Sequence, residues 1–181
     1  MSVLGVLYSV NVFPRSIASI IKVKRLREIP GSKTFFVAMA WAFVIIMVPH
    51  IGSGNKFSRV SAGAFLFVLL LVYVRSVLYD VFEVQEDRIV GKETLPVCIG
   101  RDKTLRLLYV VMLSLSILLA AGPAVGMLPL SWAGLLPAVL YLLAVTILHD
   151  RDYFPHNPRL EFAVDSAFPL IICLVVLIRG L

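Results

Sequence analysis

Five long apolar runs constrain the fold of this chain more than any other feature of its sequence. Each approaches the roughly 20 apolar residues that a helix needs to cross a hydrocarbon core of about 30 Å. Hydrophobic residues make up 60% of the 181 residues, a share outside that of soluble domains. The sequence therefore predicts an all-α, polytopic transmembrane helix bundle with five spans, at 34–51, 60–79, 105–122, 127–148 and 163–179.

A sixth apolar stretch, "MSVLGVLYSVNVF" at residues 1–13, is too short to span. It lacks the basic start and small-residue cleavage site of a signal peptide. We interpret it as the end of a longer helix. Because the chain contains no internal repeat or hydrophilic linker, residues 1–181 are expected to form a single membrane domain.

The basic residues lie almost entirely on one side of the predicted membrane. Thirteen of them belong to the segments around 14–33, 80–104 and 149–162, whereas only three lie on the other side. Lys and Arg in short loops are retained in the cytoplasm, so these three segments are predicted to be cytoplasmic. The net charge of +6 is explained by this asymmetry and gives no support to nucleic-acid binding.

Acidic residues follow the second apolar run directly, in the sequence "YDVFEVQEDRIVGKETLP". If the helix continues, Asp80, Glu83 and Asp87 stand at i, i+3 and i+7 and share one face with Ser76. Like charges on one face repel one another, so a positive partner is expected nearby. Either this is a solvated helix end, or the three carboxylates bind Mg²⁺, which prefers oxygen ligands.

Basic residues beside these acids suit a ligand that carries phosphate. Arg88 and Lys92 flank the break at Gly91 and could contact such a group. A second basic segment at 22–33, which includes Lys24, Arg25 and Lys33, is predicted on the same side. It either closes over the ligand or contacts lipid headgroups. The "GSKT" within it lacks the upstream glycine of a phosphate-binding P-loop.

The motif also resembles that of a known family. The string Asp80-x-x-Glu83-x-x-x-Asp87-Arg88-x-x-Gly91-Lys92-x-Thr94-Leu95-Pro96 is similar to the second aspartate-rich motif of the UbiA family of intramembrane prenyltransferases. "LREIPGSKT" before an apolar helix and "RLEFAVDSAF" entering the last helix also resemble bacterial members. The resemblance covers essentially the whole chain but only the C-terminal part of that family's fold.

The resemblance implies an enzyme that transfers a prenyl or polyprenyl group from an isoprenoid diphosphate to an aromatic or lipid-precursor acceptor. It implies Asp80, Glu83 and Asp87 as catalytic ligands of Mg²⁺, and it implies a bacterial inner-membrane location with a cytoplasmic active site. Arg88 and Lys92 would contact the diphosphate, and Lys24, Arg25 and Lys33 are further candidates for that contact. The apolar spans would hold the isoprenoid tail and exclude water.

The family's first motif, N-D-x-x-D-x-x-x-D, does not occur in this sequence. We therefore expect that activity needs a complementary N-terminal half, absent, separately encoded or lost. The alternative is a non-catalytic membrane subunit or an isoprenoid-lipid-binding protein. A transporter is disfavoured because the acids lie at a helix end and not at the midplane.

Two other groups of charged residues attract attention. His149, Asp150, Asp152 and His156 could ligate a metal, but two prolines among them favour an irregular loop. Arg75 and Asp165 fall inside predicted spans, where a charge is costly unless it is paired. For Asp165 we expect a partner in Arg159 or in a basic group on a neighbouring helix, or else exposure to the cavity.

Overall fold

The computed structural model describes residues 31–54, 56–91, 93–126, 128–151 and 158–180. These residues form helices joined by short turns. The helices are Ser32–Ala42, the π-helical Phe43–Met47, Val48–Gly52, Arg59–Phe82, Val84–Val90, Leu95–Ile99, Arg101–Ala121, the 3₁₀ helix Leu130–Leu135, Leu136–Asp150, Pro158–Asp165 and Ala167–Gly180.

Five helical stretches are long and apolar enough to cross a membrane, which confirms the predicted polytopic bundle. We number them in chain order as span 1 to span 5: Ser32–Gly52, Arg59–Phe82, Arg101–Ala121, Leu130–Asp150 and Arg159–Leu177. Their bounds differ by a few residues from those predicted: spans 1, 2, 3 and 5 begin earlier, in polar sequence, whereas span 4 begins at 130 and not at 127. The apolar segment 1–13 lies outside the described residues.

Span 1 contains a π-helical turn at Phe43–Met47, where the amide of Val48 donates to the carbonyl of Phe43. Pro49 accounts for this wider turn. Its ring lacks an N–H and would collide with the carbonyl four residues earlier in a regular α-helix. A single π-turn relieves that collision without ending the helix.

Local signals in the sequence set the ends of span 2 and of the short helices that follow it. Ser58 and Ser61 form a reciprocal capping box, in which the Ser61 amide donates to the Ser58 hydroxyl at 3.1 Å. Gly91 ends the Val84–Val90 helix with φ 74°, and Gly100 precedes span 3 with φ 91°. Both values are far easier for glycine than for other residues.

Span 2 is the most enclosed helix of the bundle. It packs against span 1 on one side and span 3 on another, while span 4 packs against spans 3 and 5. Leu78, Leu108 and Leu142, one from each of spans 2, 3 and 4, are fully or almost fully buried at the centre. By contrast, the most apolar part of span 1 is only 11% buried, against 39% for span 2.

One end of the bundle carries most of the polar side chains. Span 2 ends there, spans 1 and 3 begin there, and the short Val84–Val90 and Leu95–Ile99 helices lie between them. The start of span 1 touches the Leu95–Ile99 helix closely, since a methyl group at Gly31 would overlap the Leu95 side chain. The polar loops thus surround a common space.

Candidate active site at the polar end of the bundle

The acidic segment is almost a continuous helix, but it bends once. Span 2 stops at Phe82, Glu83 adopts φ −90° and ψ 9°, and a second helix begins at Val84. Backbone hydrogen bonds still cross the bend. The Glu83 amide donates to the carbonyl of Tyr79 (3.0 Å), and the Asp87 amide donates to the carbonyl of Glu83 (2.9 Å). The predicted continuation of the helix is therefore present with a local break.

Asp80, Glu83 and Asp87 line one cavity of about 520 Å³, and Ser76 lines it one turn earlier. The spacing at i, i+3 and i+7 thus brings these side chains to one side despite the bend. Asp87 is the most enclosed, with 1% of its surface exposed. An ionisable side chain this buried at the mouth of a bundle is typical of a functional site.

The start of span 1 forms the facing wall of this cavity through Gly31, Lys33, Thr34 and Val37. The Thr34 hydroxyl donates a hydrogen bond of 3.1 Å to Oδ2 of Asp80. That bond fixes one oxygen of the carboxylate and joins span 1 to span 2. The "GSKT" segment is not a P-loop, yet three of its four residues line the cavity.

Glu93 and Thr94, in the loop after Gly91, complete the cavity wall. The Thr94 hydroxyl oxygen is buried and has no hydrogen-bond partner among the described residues. Burying a hydroxyl in this way costs free energy unless a ligand or water completes its bonding. The loop is held in place by Leu95, which packs directly against Gly31.

The cavity wall is strongly acidic. Four carboxylates line it, those of Asp80, Glu83, Asp87 and Glu93, together with one ammonium group, that of Lys33. Their formal charges leave an excess of three negative charges at a low-dielectric boundary. Such a cavity attracts cations, and it would accept a diphosphate only together with cations.

The arrangement fits Mg²⁺ as an open site and not as a closed protein cage. No three His, Cys, Asp or Glu side chains within the described residues are grouped closely enough to hold a metal ion. Asp80 and Asp87 are separated by seven residues, roughly 10 Å of helical rise, so a single ion cannot join them directly. Mg²⁺ is usually held by one or two carboxylates plus waters and phosphate oxygens, and that mode suits this wall.

The predicted basic residues are not all found in the cavity wall. Lys33 lines the cavity, whereas Arg88 is exposed on the Val84–Val90 helix and is not among the lining residues. Lys92, Lys24 and Arg25 lie outside the described residues. Their proposed contacts with a diphosphate stay predictions.

The charges predicted inside spans are paired. Nε of Arg75 lies 2.7 Å from Oδ1 of Asp165, and Nη2 lies 3.2 Å from Oδ2. The partner of Asp165 is thus a basic group on a neighbouring helix, one of the alternatives predicted. The guanidinium also stacks on the ring of Tyr79, 4.7 Å from its centroid.

Two of the four residues proposed around His149 are described, and they have different contacts. His149 is buried, with its ring edge-to-face with Phe82 at 4.8 Å between centroids. Asp150 accepts a hydrogen bond of 3.0 Å from the Tyr109 hydroxyl. Asp152 and His156 fall outside the described residues.

Sequence reasoning did not assign a role to Thr34 or Glu93. Thr34 follows a basic segment and precedes an apolar run, which gave only a weak signal of proximity to the acids. Glu93 lies two residues after the motif's glycine, outside the i, i+3 and i+7 spacing. Only the packing of span 1 against span 2 brings the Thr34 hydroxyl to Asp80.

Comparison with known proteins identifies the family. Neither a search of curated proteins nor a search of solved structures gave a match. A family model described as "UbiA prenyltransferase family" matches residues 2–163, well over half of the chain and including every residue of the cavity wall. This chain therefore belongs to the UbiA prenyltransferase family.

Proposed function

We propose that this chain transfers a prenyl or polyprenyl group from an isoprenoid diphosphate to an aromatic or lipid-precursor acceptor. The observation that carries the proposal is the cavity at the polar end of an apolar bundle, where Asp80, Glu83 and Asp87 share one wall. The location suits an amphiphilic substrate, whose charged head would bind at the cavity and whose tail would enter the apolar bundle. Membership of the family supports the reaction class.

In this proposal Asp80, Glu83 and Asp87 hold Mg²⁺ ions, with one or two of these carboxylates on any single ion, and Lys33 contacts the diphosphate. Thr34 would keep Asp80 oriented toward the cavity through its 3.1 Å hydrogen bond. Thr94 offers a buried hydroxyl that could donate to a phosphate oxygen. Mg²⁺, when bound, would stabilise the negative charge that grows on the departing diphosphate.

The chemical step requires an environment that protects a carbocation. The allylic C–O bond breaks, and its electron pair leaves with the diphosphate. The acceptor atom then forms the new bond to carbon and releases its proton. The apolar helices would exclude water, the competing nucleophile, and Val37 supplies an apolar surface directly at the cavity.

We further propose that the cavity opens on the cytoplasmic side, in a bacterial inner membrane. The support is the distribution of basic residues along the sequence, thirteen of which lie in the segments predicted to be cytoplasmic. Labelling of a cysteine introduced at exposed Glu86, in intact and in permeabilised cells, tests this orientation. Labelling of intact cells by an impermeant thiol reagent would place the cavity on the outer side.

Turnover is proposed to require further helices with the family's first acidic motif. None of the eleven acidic residues stands in an N-D-x-x-D-x-x-x-D string. Within the described part of the chain, the apolar part of span 1 is only 11% buried, and such a face suits packing by additional helices. The isolated chain is then expected to bind the diphosphate with little turnover, and co-expression with a segment carrying that motif should raise the rate.

The decisive experiment measures Mg²⁺-dependent binding of farnesyl diphosphate to the chain in lipid nanodiscs. Asp87→Asn should weaken binding about tenfold or more, because it removes one charge from the ion site. Glu86→Gln is the matched control, since Glu86 is the adjacent acid, is exposed and does not line the cavity. Equal binding by the Asp87→Asn variant and the wild type would remove the metal role of Asp87.

A non-catalytic subunit that binds isoprenoid lipids is the second candidate, favoured by the missing first motif. Turnover separates the two functions. If Mg²⁺-dependent binding persists but no prenyl transfer occurs even with the complementary segment present, the chain is a binding subunit and not an enzyme.

A further inference from the structure

A second cavity, of about 550 Å³, lies between spans 3 and 4. It shares no lining residue with the acidic cavity. Its walls are apolar along most of their length, formed by Leu113, Leu140, Leu143 and Ile147. Leu113 and Leu140 are more than half exposed, so the groove opens sideways from the bundle.

One end of this groove is polar. Asp150 accepts a hydrogen bond from Tyr109 and lies 3.7 Å from Nη1 of Arg101, so its charge is already compensated. The next residue, Arg151, is exposed and lines the groove. The polar end therefore presents Arg151 beside the Arg101–Asp150 pair.

The surrounding surface adds to this positive charge. Lys103 and Arg106 are exposed on the first turns of span 3, where Asp102 is the acidic residue. Among the described residues around the polar end, four cationic side chains (Arg101, Lys103, Arg106 and Arg151) outnumber two acidic ones (Asp102 and Asp150). An anionic group at the mouth of the groove would be attracted by the whole cluster.

The length of the groove corresponds to one leaflet. From Leu140 in span 4 to Arg151, the residue after that span, the groove covers a rise of eleven residues, roughly 16 Å at 1.5 Å per residue. Half of a typical hydrocarbon core is about 15 Å. With Arg151 placed at the membrane interface, a groove of this length would end near the midplane, as an acyl chain of that leaflet does.

From these features we infer that the groove between spans 3 and 4 binds an anionic phospholipid from the leaflet at the polar end of the bundle. Its phosphate contacts Arg151, next to the Arg101–Asp150 pair, and one acyl chain lies against Leu113 and Leu140. The site is separate from prenyl transfer and does not depend on it. Basic pockets between transmembrane helices are suited to such headgroups.

Charge disfavours a second copy of this chain in the groove. Two copies inserted in the same orientation and related by a two-fold axis would bring their cationic ends together at the same membrane face. The cationic ends of the two copies would repel each other. A phospholipid of opposite charge supplies both the counter-charge and the apolar surface.

The test is native mass spectrometry of the full chain with added phosphatidylglycerol or phosphatidylcholine of identical acyl chains. The wild type should retain phosphatidylglycerol at least about fivefold better than phosphatidylcholine. Arg151→Gln should remove most of that preference. The matched control is Arg59→Gln, an exposed arginine at the opposite end of the bundle, which should keep it.

A second variant tests the groove itself. Leu140→Trp places a large side chain on the exposed wall and should reduce binding of both lipids at least about threefold, while helicity by circular dichroism stays unchanged. The inference is overturned if Arg151→Gln keeps the wild-type preference, if Leu140→Trp binds both lipids normally, or if the wild type does not distinguish the lipids. A dimer that forms with loss of bound lipid would likewise overturn it.

Discussion

Arg75 and Asp165 form a two-point ion pair between spans 2 and 5, with N–O distances of 2.7 and 3.2 Å. Both residues lie where a lone charge would be poorly solvated. The pair also places Arg75 against Tyr79, one residue before Asp80. It therefore holds the last span against the helix that carries the acidic cavity.

Removal of either partner should destabilise the bundle. Arg75→Leu or Asp165→Leu alone leaves one charge without its partner, and each should lower the free energy of unfolding by about 1–3 kcal/mol. Steric trapping or denaturant unfolding in bicelles measures the free energy of unfolding of each variant.

The double variant distinguishes an ion pair from two independent contacts. Arg75→Leu with Asp165→Leu removes both charges, so its cost should be smaller than the sum of the single costs. Additive costs would mean that the pair contributes no coupling energy.

The hydrogen bond from Thr34 to Asp80 should strengthen ligand binding in the acidic cavity. Thr34→Val keeps the shape and removes the hydroxyl, so Mg²⁺-dependent binding of farnesyl diphosphate should weaken about tenfold. Thr34→Ser keeps the donor and should bind like the wild type. If the valine and serine variants behave alike, the hydroxyl has no part in orienting Asp80.

The close approach of Gly31 to Leu95 should make Gly31 sensitive to substitution. Its φ of 75° and the overlap that a methyl group would create predict a loss of about 2–4 kcal/mol for Gly31→Ala. In a Leu95→Ala background the overlap disappears, so the same change should cost only about 1–2 kcal/mol. Chemical denaturation of the wild type, the two single variants and the double variant gives both costs. Equal costs of Gly31→Ala in the two backgrounds would argue against the contact with Leu95.

Substitutions of Lys33 and of Arg88 should differ in their effect on diphosphate binding. Lys33 lines the cavity, and Lys33→Gln is expected to raise the dissociation constant of farnesyl diphosphate about tenfold. Arg88 is exposed, so Arg88→Gln should change this dissociation constant less than about threefold. Salt should reduce that small effect further, because it screens charges at the surface. Isothermal titration at two ionic strengths compares them, and a larger effect at Arg88 would restore the role predicted from sequence.

The acidic motif shows how far a local pattern can be trusted. The spacing of Asp80, Glu83 and Asp87 predicts a common face, and all three line one cavity. The spacing did not predict the bend at Glu83, because a single residue leaving helical geometry has no periodic signature. It also suggested one compact ligand cluster, whereas these carboxylates are spread along the wall.

The sequence by itself determined the five spans, the polar end and the motif, because composition, helical period and residue spacing are local properties. Only the tertiary structure decided which helix faces meet. The Thr34–Asp80 bond joins residues 46 positions apart, and the Arg75–Asp165 pair joins residues 90 apart. The groove between spans 3 and 4 is likewise formed only by packing. Such contacts depend on how apolar surfaces fit together, and hydrophobic burial is non-directional, so a local pattern cannot specify them.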